Sequence, residues 1–257
     1  MRRFPTSEIS VVWVVLSLGV LCMSGCGTLS HTPSQTAISA NTTATPVVPA
    51  DDRVAATKDK VMDLITAAER GEVQVVQRLL AQRADVDAQD SRGRTALIAA
   101  AYNNHLDVAE VLITAGADVN IQDNTQQSAY LIATSEVGDD PRLLNLTLQH
   151  GADVRSLDSY NGTGLIRAAD RGHVAIVQAL LVTPITVDHV NRLGWTALLE
   201  AVILGDGDVR HTEVVRLLVD AGANVNIADR EGITALAHAR ERGYIDMVNI
   251  LEQADAR

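Results

Sequence analysis

Two spacings recur five times along this 257-residue chain, and they restrict what it can fold into more than any other feature. Asp90, Asp123, Asp158, Asn191 and Asp229 are each followed five residues later by a hydroxyl side chain, at Thr95, Ser128, Thr163, Thr196 and Thr234. Arg83, Gly116, Gly151, Pro184 and Gly222 each stand seven residues before one of those opening residues. The clearest copy runs from Asp90 to Gln122 and is 33 residues long. Self-similarity at such a period means a row of stacked supersecondary units, none able to shield its own apolar side without a neighbour. Within a copy the apolar residues recur at helical spacing, as at Leu97, Ala100, Ala101, Val108, Val111 and Leu112. Hydrophobic residues make up 47% of the chain but aromatics only 3%, which suits thin helices packed through Ala, Leu and Val.

The runs Ala-Gly-Ala-Asp-Val-Asn at 115–120, His-Gly-Ala-Asp-Val at 150–154 and Ala-Gly-Ala-Asn-Val-Asn at 221–226 give the chain a resemblance to the ankyrin repeat family over roughly residues 59–257. The resemblance implies an all-α solenoid of about six helix-turn-helix repeats, at about 60–89, 90–122, 123–157, 158–190, 191–228 and 229–257. The chain departs from the family where Thr-Pro-Leu-His is usual: it has Thr-Ala-Leu-Ile at 95–98, Ser-Ala-Tyr-Leu at 128–131 and Thr-Gly-Leu-Ile at 163–166. Losing that Pro removes a good first helical residue. Losing the His removes hydrogen bonds between repeats, so a less rigid array is expected.

Three places interrupt the period. Repeat three carries an extra turn at 136–140, where Asp139 or Asp140 can cap the helix that Pro141 opens. At the end of repeat four, Pro184 replaces the usual left-handed Gly, so that corner must stop by another geometry and shift the stacking angle. Repeat five carries the longest insertion, 206–210, whose Asp206 and Asp208 around Gly207 lack the ligand spacing and terminal Glu of an EF-type loop, so a polar loop is expected. His105, just after an inter-helix turn, reads as a capping or packing residue.

The amino terminus is of another kind. Arg2 and Arg3 precede an apolar run from Ile9 to Leu21, short for a bilayer span but suited to the core of a signal peptide. The run ends in Met23-Ser24-Gly25-Cys26. This is similar to the lipobox of bacterial lipoproteins, with residues 1–25 removed and Cys26 lipidated; an ordinary cleaved signal or an uncleaved anchor are the alternatives. Gly27 after the Cys, by the sorting habit of such lipoproteins, implies the outer membrane facing the periplasm; secretion is the other destination considered. Residues 26–58 are rich in Thr, Ser, Ala and Pro without a period and read as a disordered tether. Thirty such residues reach on the order of 30 Å.

Charge and chemistry exclude more than they assign. Without residues 1–25 the chain keeps 21 − 2 = 19 basic and 32 − 1 = 31 acidic residues, a net of −12, which argues against nucleic acid as a ligand. Both cysteines, Cys22 and Cys26, precede the repeats, so no thiolate is available there for catalysis or zinc. No Gly-x-Ser-x-Gly, His-Glu-x-x-His or phosphate loop occurs. No catalytic activity, cofactor, metal or small-molecule substrate is therefore expected.

The family resemblance implies a concave groove that binds another protein. Its variable positions correspond here to Tyr102, Tyr160, Arg171, Arg192, Leu193, Trp195, Ile203, Leu204, Arg230 and Ile233. Aromatic and aliphatic groups ringed by Arg are what binding hot spots favour, so repeats four to six are expected to hold the partner; packing against a neighbouring repeat is the other reading of Trp195. Three roles fit such a module by resemblance: an immunity protein against a secreted toxin or lipase, a periplasmic helper in peroxide resistance beside a catalase, and a host-directed effector.

Overall fold

The computed structural model describes residues 62–255. The signal peptide, Cys26 and tether expected from the sequence lie outside that range. The described residues form twelve helices and no strand, with one isolated bridge between Ala228 and Thr234. Repeat one holds α1 (helical over 62–69) and α2 (Val73–Ala81). The pairs α3 (Ala96–Tyr102) and α4 (Leu106–Thr114), and α5 (Ala129–Ser135) and α6 (Arg142–Gln149), make repeats two and three. Repeats four, five and six hold α7 (Gly164–Asp170) and α8 (Val174–Leu181), α9 (Ala197–Ile203) and α10 (Val209–Asp220), and α11 (Ala235–Arg242) and α12 (Ile245–Gln253).

The first recurring spacing is a helix start. Thr95, Ser128, Thr163, Thr196 and Thr234 are the N-caps of α3, α5, α7, α9 and α11, and each hydroxyl oxygen accepts from the backbone N–H three residues on, at 3.2–3.4 Å. That satisfies one of the orphan donors of the first turn. The opening Asp or Asn closes the turn before it. Oδ1 of Asp158 accepts from the N–H groups of Tyr160 and Gly162, both at 2.8 Å, and Asp90, Asp123, Asn191 and Asp229 accept from the same two relative positions. Only a short side chain with an acceptor oxygen can do this, hence Asp or Asn at every opener.

The second spacing marks helix ends. Gly116, Gly151 and Gly222 have φ of 97°, 85° and 84°, and Arg83 takes the same left-handed role at 61°. Pro184 cannot; there the last turn is closed by Thr183, whose Oγ1 donates to the Leu180 carbonyl at 2.6 Å. The packing across this corner is kept, α7 against α9 and α8 against α10.

Two layers result. The short helices stack in one, α3 on α5, α5 on α7, α7 on α9 and α9 on α11; the returning helices stack in the other, α2 on α4, α4 on α6, α8 on α10 and α10 on α12. Contact between α6 and α8 is the sparsest in the second layer, beside the extra turn of repeat three. That turn bridges the gap: Asp139 Oδ1 accepts from the N–H groups of Ala175 and Ile176 on α8 (2.8 and 3.2 Å), while Asp140 takes the N–H of Arg142 on its own helix. Ala96, Ala99, Ala100 and Ala101 on α3 are fully or almost fully buried, so neighbouring backbones can approach closely.

The inter-repeat hydrogen bonds lost with the family's His are supplied from another position. A side chain at or near the start of four returning helices reaches back one repeat: His105 Nε2 donates to the Glu69 carbonyl at 3.1 Å, His173 Nδ1 to Thr134 at 3.2 Å, His211 Nε2 to Asp170 at 3.1 Å and Tyr244 Oη to Gly205 at 3.0 Å. The His211 ring lies against Gly172, where φ is +63° and a Cβ would come within 3.0 Å of it. The insertion of repeat five is shorter as a loop than the sequence suggests. Asp208 is the N-cap of α10, and Val209 and Arg210 are its first two residues.

Candidate partner-binding face

The groove residues named from the sequence separate into three groups. Tyr102, Tyr160 and Leu193 are exposed at 39%, 37% and 45%, and Arg192 and Arg230 are exposed as well. Arg171, Trp195, Leu204 and Ile233 are half-buried. Ile203, at 8%, belongs to the core, and its expected place on the groove surface is corrected accordingly. The reason is its position: it ends α9, whose seven residues are all buried between α7 and α11. Trp195 and Leu204 lean on that core. Their contribution to an open surface is therefore the part of each side chain left uncovered.

What the structure brings together is the row of turn tips in repeats four to six. Arg192 N–H donates to the Tyr160 carbonyl at 2.9 Å and its Nη1 to the Ser159 carbonyl at 2.8 Å. Arg230 repeats the device one unit on, its Nη2 donating to the Arg192 carbonyl, with its stem lying where a Cβ on Gly194 would otherwise be. The two arginines thus clasp successive tips. A guanidinium has five N–H donors, so each clasp uses only part of that capacity, and both arginines are exposed. Asn124 ties repeats two and three in a related way, through the Arg92 and Ser91 carbonyls. Tyr102 sits apart from the repeat-five tip, and burial and the Asp123 charge push its phenol above the ordinary value.

Behind these tips runs a buried polar layer that the sequence reading missed. Arg167, 5% exposed, donates to Asp158 Oδ2 at 2.9 Å and to Ser135 Oγ at 2.6 Å. Glu200, 4% exposed, accepts from Asn191 Nδ2 at 2.6 Å. Burial also raises the Asp170 carboxyl. The available signal was a charged residue nine positions after an opener, inside an otherwise apolar stripe.

In the repeat-five turn, Asp206, Asp208 and His211 lie close enough for one oxygen or nitrogen of each to share an ion. Protein donors already occupy Asp208: the His211 N–H and Nδ1 lie 2.8 and 2.9 Å from Oδ1, and Arg210 Nε donates to Oδ2 at 3.1 Å. Burial pushes that carboxyl up, yet these hydrogen bonds prevail and hold it at about 2. The cluster works as a helix cap and ion pair.

The described residues thus form a helical repeat array with a row of clasped, partly apolar turn tips and an extended surface for a macromolecular ligand. The chain belongs to the ankyrin repeat family: the model for "Ankyrin repeats (3 copies)" matches residues 52–123 and 130–229. It is 36% identical over 200 residues to the putative ankyrin repeat protein YahD of Escherichia coli, spanning 77% of this chain and 98% of that one. The crystal structure of an ankyrin repeat domain from Acinetobacter baumannii superposes with a TM-score of 0.72 at 47% identity, over 76% of this chain and 98% of that domain. A chain from the complex of the Bdellovibrio bacteriovorus predatory endopeptidase Bd0816 with immunity protein Bd3460 superposes with a TM-score of 0.65 at 25% identity, over 74% and 97%. The protein is accordingly a module for protein–protein interaction.

Proposed function

We propose that this protein is a lipid-anchored envelope protein that binds a secreted toxin enzyme through the turn tips of repeats four to six and blocks it, as an immunity protein does. The observation that carries the reading is the Tyr160–Leu193 pair, exposed on adjacent tips and flanked by the Arg192 and Arg230 clasps. Aromatic and aliphatic anchors beside guanidinium donors are the side chains that dominate protein interfaces. An array held by clasps between neighbouring tips presents them with little conformational entropy left to lose on binding. The complex of an endopeptidase with an immunity protein among similar folds supports an inhibitory role. The net charge of −12 after leader removal, obtained as 19 − 31, favours a basic partner surface.

Cys26 supplies the anchor in this reading, each buried methylene of an acyl chain adding about 0.8 kcal/mol of membrane affinity. The test is photocrosslinking from position 193 in envelopes carrying the full chain, followed by mass spectrometry. A single enzyme captured there, and inhibited by the purified protein at one-to-one stoichiometry, is the expected result. Crosslinks spread over unrelated envelope proteins, or a captured enzyme whose turnover is unaffected, would overturn it. Labelled palmitate entering wild type but not Cys26→Ser tests the anchor separately.

A further inference from the structure

In each of the last three repeats a titratable side chain stands nine positions after the opener: Arg167 after Asp158, Glu200 after Asn191 and His238 after Asp229. All three turn back to that opener, at 2.9, 2.6 and 2.7 Å. Arg167 also spans the joint to repeat three, reaching Ser135 Oγ at 2.6 Å and Glu136 Oε1 at 3.3 Å. At the next joint the equivalent position is an acid. Asn191 Nδ2 satisfies Oε1 of Glu200, while Oε2 is buried with no hydrogen-bond partner.

The groups around it are mainly engaged elsewhere or carry the wrong sign, although Arg167 keeps one buried donor, Nε, without a hydrogen bond. On the α7 side Arg167 is held by Asp158, Ser135 and Glu136, and Arg171 lies 3.6 Å from Asp170. On α10, His211 is held between Asp208 and the Asp170 carbonyl. On α11, His238 is bound to Asp229. Asp170 and Asp158 both act on Glu200 as like charges.

We propose that Glu200 is a proton-dependent latch between repeats four and five, closed while its carboxyl is neutral and released when it ionises. A neutral carboxyl with one unsatisfied oxygen is tolerable inside a protein, whereas an unpaired carboxylate beside two other acids is far more costly. The charge is relieved by turning Glu200 out to solvent, which parts α9 from α7. A repeat array is a sum of neighbour interfaces, so one weakened joint opens locally without unfolding the rest. The Arg192 clasp crosses the same joint, so Tyr160 and Leu193 move apart as it opens. The latch does not depend on which partner those tips bind.

Burial, and then the Asp170 charge, push Glu200 up to about 8 against the pull of the Asn191 hydrogen bond. The folded joint therefore keeps a proton that the opened one loses above the ordinary value of 4.5, and stability falls as pH rises from about there to about 8. Amide hydrogen exchange of the purified full chain between pH 5 and 9, corrected for intrinsic chemistry, reads this directly. The opening constant across residues 164–203 should rise by up to about tenfold per pH unit and level off near 8, while residues 96–113 stay flat. In Glu200→Gln the rise should vanish. The same rise in both proteins, or a flat wild type, would overturn the latch. If the variant does not fold, carboxyl carbon-13 titration of the wild type decides: a Glu200 midpoint near 8 supports the latch, and one near 4.5 overturns it.

Discussion

The hydroxyl of Tyr130 on α5 fills the space that a side chain at Gly164, the first residue of α7, would need. A Cβ there would come within 2.6 Å of Tyr130 Oη and 2.9 Å of Thr134 Cγ2. Tyr130 is 1% exposed, its Oη donates to the Val154 carbonyl at 3.5 Å, and burial pushes its phenol far above the usual range. The departures from the family pattern in repeats three and four, Ser-Ala-Tyr-Leu and Thr-Gly-Leu-Ile, are therefore one feature: a large residue in one unit and none in the next.

Gly164→Ala should accordingly destabilise the array by about 1–3 kcal/mol through overpacking. Tyr130→Leu should cost a similar amount by leaving a void, and the double variant should cost clearly less than the sum. Urea denaturation of the four proteins checks this. Additive losses would mean that the two positions do not share the space.

Asp158→Asn keeps the Oδ1 acceptor for the turn but removes the partner of Arg167, whose side chain is 5% exposed. Leaving a buried guanidinium short of its carboxylate should cost about 2–3 kcal/mol, despite the remaining Glu136 contact at 3.3 Å. Asp123→Asn, with no basic side chain on the opener, should cost less than about 1 kcal/mol. Thermal melts of both variants at pH 7 give the comparison.

Leu193→Ala and Ile203→Ala separate binding from folding. Leu193 is 45% exposed, so its loss should weaken capture of the crosslinked partner by about 1–2 kcal/mol with the melting temperature nearly unchanged. Ile203 is 8% exposed, so its loss should cost about 2–4 kcal/mol of stability. Titration calorimetry beside circular dichroism distinguishes them.

Asp208 caps α10 and is held at about 2 by the His211 and Arg210 hydrogen bonds, against burial. A depressed carboxyl contributes stability above its ordinary value of 3.8 that is lost as pH falls through about 2. Asp208→Ala should lower stability at pH 6 by about 1 kcal/mol and flatten the acid limb between pH 4 and 2. An acid melt that keeps its wild-type slope would show that another carboxylate governs it.

Much of this architecture could be read before any coordinates, because its signals are local. An Asp or Asn opener must accept two backbone N–H groups, a Thr or Ser five residues on must cap a helix, and a Gly near the end must go left-handed; each need lies within a few residues. The candidate face was less legible. Ile203 and Leu193 look alike as apolar residues at variable positions, and only the packing of α9 between α7 and α11 hides the first and leaves the second outside. Asp139 and Asp140 read alike as caps for the helix after Pro141, whereas Asp140 takes that role and Asp139 caps α8 a repeat away.

The sequence by itself determined that this chain is a row of helix pairs, where each pair begins, and that its repeats hold no thiolate. The tertiary structure decided what lies between the pairs: which arginines clasp neighbouring tips, which histidines reach back one unit, and that Glu200 keeps one carboxyl oxygen without a donor beside two other acids. The physical reason is range. Turn closure and capping are satisfied by the backbone next door, while burial, like-charge crowding and shared space arise only when segments some thirty residues apart are stacked.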